Sequence, residues 1–151
     1  MEDENRIYTR EQILSALENK DLSVFAFWER GILCASAPDY AVWILSEDGQ
    51  ISEEKRQLAV AVLKDLKTHI ERAHAWLSHF NLKHDRWYPN ALDNGFRLTD
   101  ICIGEFETSV QFRPKFEGFT LTFMPVNCYA CEFTVKFLKN MNPISVEESV
   151  E

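Results

Sequence analysis

Seven apolar residues, Ala59, Leu63, Leu66, Ile70, Ala73, Leu77 and Phe80, recur at alternating steps of three and four. That spacing puts one continuous apolar stripe on a helix of nearly thirty residues, with Lys64, Asp65, Lys67, Glu71 and Arg72 mostly off it. Ser52 before it is a good N-cap, and Glu53 and Glu54 suit the positive end of the helix dipole. A stripe this long must be covered by another element, which limits the fold to one that supplies a broad apolar surface.

The C-terminal half supplies that surface. Thr108, Val110 and Phe112 alternate with Ser109, Gln111 and Arg113; Phe119, Leu121 and Phe123 with Thr120 and Thr122; Cys131, Phe133, Val135 and Phe137 with Glu132, Thr134 and Lys136. Period two in successive segments predicts half-buried antiparallel strands, aromatic on one face and wet on the other. Phe96–Ile103 precedes them, and its phase slips between Leu98 and Ile101, which predicts a bulge near Thr99-Asp100.

The N-terminal part is read as a short helix over Arg10–Glu18 capped by Thr9, then strands over Leu22–Trp28, Ile32–Ser36 and Tyr40–Ser46. Glu29-Arg30-Gly31 and Glu47-Asp48-Gly49-Gln50 are turn signals. Tyr40–Ser46 is apolar on both faces, which suits a central strand. The expected fold is α+β: an antiparallel sheet, made of a four-stranded C-terminal meander plus the N-terminal strands, packed on one long central helix. The 151 residues form a single expected domain, with 1–8 and 144–151 frayed.

Charge narrows the partners. Sixteen basic residues against twenty-four acidic give a net charge of −8, which phosphate backbones and anionic membrane surfaces repel. The expected partner is a protein, and a basic one is best matched. The acidic start Met1-Glu2-Asp3-Glu4 lacks the basic region of a secretory signal, and the apolar runs Val24–Trp28, Ala41–Leu45 and Leu58–Leu63 are too short to span a bilayer. The expected location is cytoplasmic, with the four cysteines as thiols.

Candidate chemistry is sparse. His69, His74, His79 and His84 are spaced by five, so successive rings point about 140° apart on a helix and share no metal; they are expected to be solvated or capping. Cys128-Tyr129-Ala130-Cys131 has no second pair for a zinc ribbon and no following helix for a thioredoxin-type site, and Cys131 is in phase with a core strand. GxSxG, GxxxxGK and GxGxxG are all missing, so no catalytic residue, metal or cofactor is expected. Two sets of candidates stand out. Asp85, Arg86, Trp87 and Tyr88 combine the residue types that dominate interface hot spots, in a segment read as a loop; the competing and plainer expectation is that Trp87 and Tyr88 fold back to plug the end of the core beneath the long helix. In the alternative, a small molecule enters a pocket between the long helix and the sheet, with Asp100 and Cys102 at its mouth. An oligomer formed by an edge strand pairing across a two-fold axis is a further possibility.

A strand at Tyr40–Ser46, a long helix from Ser52, a Trp-containing loop, then Phe119-Thr120-Leu121-Thr122-Phe123 and Phe133-Thr134-Val135-Lys136-Phe137 give a layout over residues 40–140. It resembles a loose group of small uncharacterised bacterial proteins, some of them similar to immunity proteins that accompany polymorphic toxins. The resemblance implies a non-enzymatic cytoplasmic protein that binds and occludes one cognate toxin. It carries no diagnostic motif and assigns no residue.

Overall fold

The computed structural model describes residues 6–28, 31–46, 49–84, 96–104, 118–125 and 131–150. Among the described residues three helices, α1 (Arg10–Glu18), α2 (Glu53–Lys64) and α3 (Leu66–His84), lie on one seven-stranded sheet. Its strands are β1 (Ala26–Trp28), β2 (Ile32–Ser36), β3 (Ala41–Leu45), β4 (Phe96–Ile103), β5 (Gly118–Pro125), β6 (Cys131–Leu138) and β7 (Pro143–Val150). They follow one another across the sheet in chain order.

The fold is α+β, but the sheet is mixed rather than antiparallel: β3 and β4 run parallel, and every other neighbouring pair is antiparallel. The cause is the connection. Antiparallel neighbours need only a hairpin, whereas a helical crossover carries the chain back and re-enters in the same direction. Here that crossover is α2 and α3.

The expected single helix is two helices, interrupted at Asp65. A straight helix over residues 53–84 would be about 48 Å long, nearly twice the roughly 26 Å of an eight-residue strand. The local agent is Arg10, whose guanidinium Nη1 donates to the Leu63 carbonyl oxygen, drawing on the turn where the helix breaks. Arg56 near the start of α2 donates in return to the Leu17 carbonyl at the end of α1, at 3.1 Å. Each arginine thus engages a C-terminal carbonyl of the other helix, which fixes α1 and α2 in opposite directions and satisfies acceptors that a helix end leaves unpaired.

Other local readings hold. Thr9 caps α1 in a full capping box with Gln12, and the Ser52 side chain accepts from the Lys55 N–H. Gly31 has φ +79°, and its carbonyl oxygen accepts from the Ser46 N–H at 2.7 Å. The phase slip in β4 is a register shift between Leu98 and Asp100. At the chain's start, Ile7 bridges Ser36 and the Tyr8 N–H donates to the Ser36 carbonyl, so this part of 1–8 is tied to β2 rather than frayed. Of the strand read over Leu22–Trp28, only Ala26–Trp28 pairs. Residues 144–151, expected to fray, lie largely within β7, which pairs with β6 from Cys131↔Val150 to Phe137↔Pro143. The strand read at 108–113 lies outside the described residues.

Register shows why one face faces the helices. The rows Ala35–Val42–Ile101–Leu121–Val135–Val146 and Leu33–Ile44–Ile103–Phe119–Phe137 are apolar from strand to strand. Val42, Ile44, Ile101, Ile103, Phe119, Leu121, Val135 and Phe137 are wholly buried, packed with Ile13, Leu17, Ala59, Val62, Leu63 and Ala73 of the helices. Burying one such large side chain contributes about 1.5–3 kcal/mol, and these rows hold the two layers together.

Candidate functional site

The other face of the sheet has no helix over it among the described residues. Its rows, one residue out of phase with the core rows, are Ala26–Cys34–Trp43–Cys102–Thr120–Lys136–Ser145 and Ser36–Ala41–Asp100–Thr122–Thr134–Glu147. On β2 to β5 the side chains of these two rows are half-buried. A belt of hydroxyl, thiol and indole groups therefore runs across the middle of the sheet.

Asp100 organises the centre. It follows Thr99, the residue that the bulge leaves without a partner on β5. The Trp43 indole N–H donates to Asp100 Oδ1 at 2.8 Å, and the Thr99 hydroxyl donates to Oδ2 at 2.9 Å. Next along the row, the Thr122 and Thr134 hydroxyls are 3.1 Å apart, and beyond them Lys136 Nζ donates to Glu147 Oε1 at 2.9 Å. Both carboxylate oxygens are thus engaged by donors that hold the face rigid. An Asp100→Ala substitution strands the half-buried indole N–H, while the Thr99 hydroxyl keeps the Thr122 carbonyl oxygen, 3.2 Å away, as an acceptor. It is expected to cost about 1–3 kcal/mol in urea unfolding, and a change within about 0.3 kcal/mol would mean that the contact contributes nothing.

Cys34 and Cys102 flank Trp43 in the same row, and both are free thiols. Burial pushes Cys34 up to about 11, with the Asp100 charge adding to it. Burial likewise pushes Cys102 up to about 12; a hydrogen bond with the Thr120 hydroxyl opposes that rise, while Asp100 and Cys34 reinforce it. A reactive thiol needs the opposite environment. Alkylation of both by iodoacetamide at pH 8 is expected to run at least about tenfold slower than in the urea-unfolded chain, followed by peptide mass spectrometry; equal rates would contradict the buried-thiol geometry.

The sequence candidates fall as follows. Asp85, Arg86, Trp87 and Tyr88 lie outside the described residues, as does Cys128. Asp100 and Cys102 are brought together, but on the face away from the helices. They cannot mark the mouth of a pocket between helix and sheet, because the alternation that buries Leu98, Ile101 and Ile103 turns them outward. The histidines are not all solvated: His69 is only 3% exposed and His74 is half-buried. Trp43 and Cys34 were not singled out from sequence, although Trp43 stands in phase with Ala41 and Leu45 in a strand read as apolar on both sides.

A concavity of about 820 Å³ opens where the N-terminus of α1, the β2–β3 turn and the α2–α3 break meet. Its rim carries Arg10, Lys64 and Lys67 against Glu11, Asp39, Asp65 and Glu71, and Tyr40, Ile70 and His74 line its apolar part. Among the described residues no cluster of three or more His, Cys, Asp or Glu side chains could hold a metal ion, and no helix is long and apolar enough to cross a membrane.

The chain matches no protein-family model, no curated protein and no solved structure.

Proposed function

We propose that this protein acts by binding another protein, without catalysis of its own, and that the outer face of the sheet is where the partner sits. The observation that carries this reading is the belt centred on Trp43. It is a broad, hydrogen-bonded surface with an aromatic anchor, left without a helical layer among the described residues. Thiols held protonated and a carboxylate engaged on both oxygens make it a surface for contact rather than for reaction. The net charge of −8 favours a basic partner by steering its approach. A cytoplasmic immunity protein occluding a basic cognate toxin fits both properties.

The test is affinity capture from the host with tagged protein as bait, then titration of the recovered partner. Wild-type protein is expected to retain one basic protein in near-equal amount. A Glu132→Arg, Thr134→Arg variant with unchanged circular dichroism is expected to bind at least about tenfold more weakly. Equal affinity would remove the outer face from the proposal, and the same titration with Trp87→Ala, Tyr88→Ala would then examine those two aromatics.

A second reading, a small-molecule-binding domain, draws on the concavity at the α2–α3 break, whose volume of about 820 Å³ lies within the span of ligand pockets. A metabolite panel that raises Tm in the wild type but not in a Tyr40→Ala, Lys67→Glu variant is the result expected from it.

A further inference from the structure

The seam between α3 and the sheet is built from apolar side chains and two imidazoles. His69 is 3% exposed, with its ring edge-on to Phe119 at 5.4 Å and to Phe137 at 5.9 Å. Neither of its ring nitrogens has a hydrogen-bond partner among the described residues. His74 stands edge-on to Phe123 at 5.3 Å and tilted against Phe96 at 6.3 Å. A hydrogen bond with the Phe96 backbone holds that ring, and its Nε2 is buried without a partner among the described residues. The five-residue spacing that defeats metal sharing turns the two rings about 140° apart on the helix. They therefore grip separate parts of the sheet, His69 on β5 and β6, and His74 on β4 and β5.

A neutral imidazole tolerates this setting; a cation does not, because it would lose its water and the nearby charges, being of mixed sign, offset that loss only in part. The charges that reach His69 are Asp65, at the break between α2 and α3, and Arg72 of its own helix, which act in opposite directions, while among the described residues β5 and β6 present the Phe119 and Phe137 rings to it. His74 lines the concavity at the α2–α3 break. There Asp65 at the break and Lys67 and Glu71 of its own helix face Lys64 of α2, Arg10 and Glu11 of α1, and Asp39 and Tyr40 of the β2–β3 turn. These charges are of mixed sign, and none of them bonds its Nε2. Burial is the largest influence on both imidazoles and holds each below the ordinary histidine range.

We propose that His69 and His74 make the α3–sheet seam a proton-operated joint, in which protonation loosens α3 from β4, β5 and β6 while β2 and β3 stay paired. The core rows at β2 and β3 are Ala35–Val42 and Leu33–Ile44, with no imidazole among them. The direction follows from linkage. The open seam takes up protons near pH 6.5 and the closed seam only at lower pH. Closure is therefore fully favoured above pH 6.5 and weakens as pH falls below it, by up to about tenfold per pH unit for each histidine.

Amide hydrogen exchange at pH 7.5 and pH 5.0, corrected for the intrinsic pH dependence, reads this directly. Protection in α3 is expected to fall by at least about tenfold at pH 5.0, the ceiling being about 30-fold per histidine for a ring neutral in the closed state. Amides of β2 and β3 are expected to change less than about threefold. In the His69→Phe, His74→Phe variant the fall in α3 is expected to vanish. Undiminished α3 protection at pH 5.0 in the wild type, or an equal fall in the variant, overturns the proposal. Should the double variant not fold, the histidine Cε1 proton shifts of the wild type decide: both imidazoles must stay neutral through pH 6.5 while α3 is protected. Ordinary titration of both rings in the closed protein overturns the joint.

Discussion

Gly118→Ala is expected to lower the unfolding free energy by about 3 kcal/mol or more, the upper end for an overpacking change. A Cβ built at this position would lie 1.9 Å from the Phe137 carbonyl oxygen, 3.0 Å from the Phe137 carbonyl carbon and 3.1 Å from that of Leu138. All three are backbone atoms of β6, so no side-chain rotation makes room. The glycine is needed here for closeness of approach, since its φ is not among the positive ones. Two features depend on that approach: Gly118 pairs with Leu138, and its carbonyl oxygen accepts from the Gly104 N–H at 2.9 Å. Moving β5 away would also part Phe119 from Phe137, whose rings stack at 4.6 Å. Urea unfolding by circular dichroism checks it, and a loss under about 1 kcal/mol would mean that the two strands lie further apart than described.

The elements legible in the sequence are those whose causes are local. Thr9 and Ser52 were readable as caps because a cap needs only its own hydroxyl and the next turn. The Thr99-Asp100 bulge was readable because it shifts the phase of one strand. The break at Asp65 was not, because the apolar stripe runs through it unbroken. The contact that bears on it is distant: Arg10, 53 residues before the Leu63 carbonyl that it engages. β7 was missed although Ile144 and Val146 alternate with Ser145 and Glu147, because Glu148 interrupts the pattern. What makes the segment a strand is the free edge of β6, which only the assembled sheet supplies.

The candidate site was less legible still. Asp100 and Cys102 stood out, but their face could not be assigned until β4 had neighbours on both sides. Trp43 gained its meaning only from lying beside Asp100, and these two meet through a parallel pairing that closes over fifty residues of chain. The histidines carry the same lesson. Residue type argued for solvent and spacing argued against metal, and both arguments treat the helix as isolated. The sheet decides which flanks of α3 are wet, and it covers His69 with two phenylalanines.

Phe119→Ala is expected to cost about 3–5 kcal/mol, the usual range for emptying a phenylalanine site in a core. Phe119 is wholly buried, stacks on Phe137 and meets the edge of His69, so no neighbour can collapse into its space without giving up a contact of its own. The same substitution should change how His69 titrates. Removing one of the two rings that cover the imidazole lets water reach it, which eases the burial that holds it below the ordinary range. Phe119→Ala is thus expected to lower stability at pH 7.5 and, in the fraction that stays folded, to move the His69 titration back toward ordinary values. Stability should also depend less steeply on pH between 6.5 and 5. Phe133→Ala removes a comparable side chain from the core without the edge contact to His69, and is expected to destabilise while leaving that titration in place. Equal shifts in both variants would mean that His69 responds to general loosening of the core, whereas a shift confined to Phe119→Ala would identify the Phe119–Phe137 pair as the cover that keeps the joint closed.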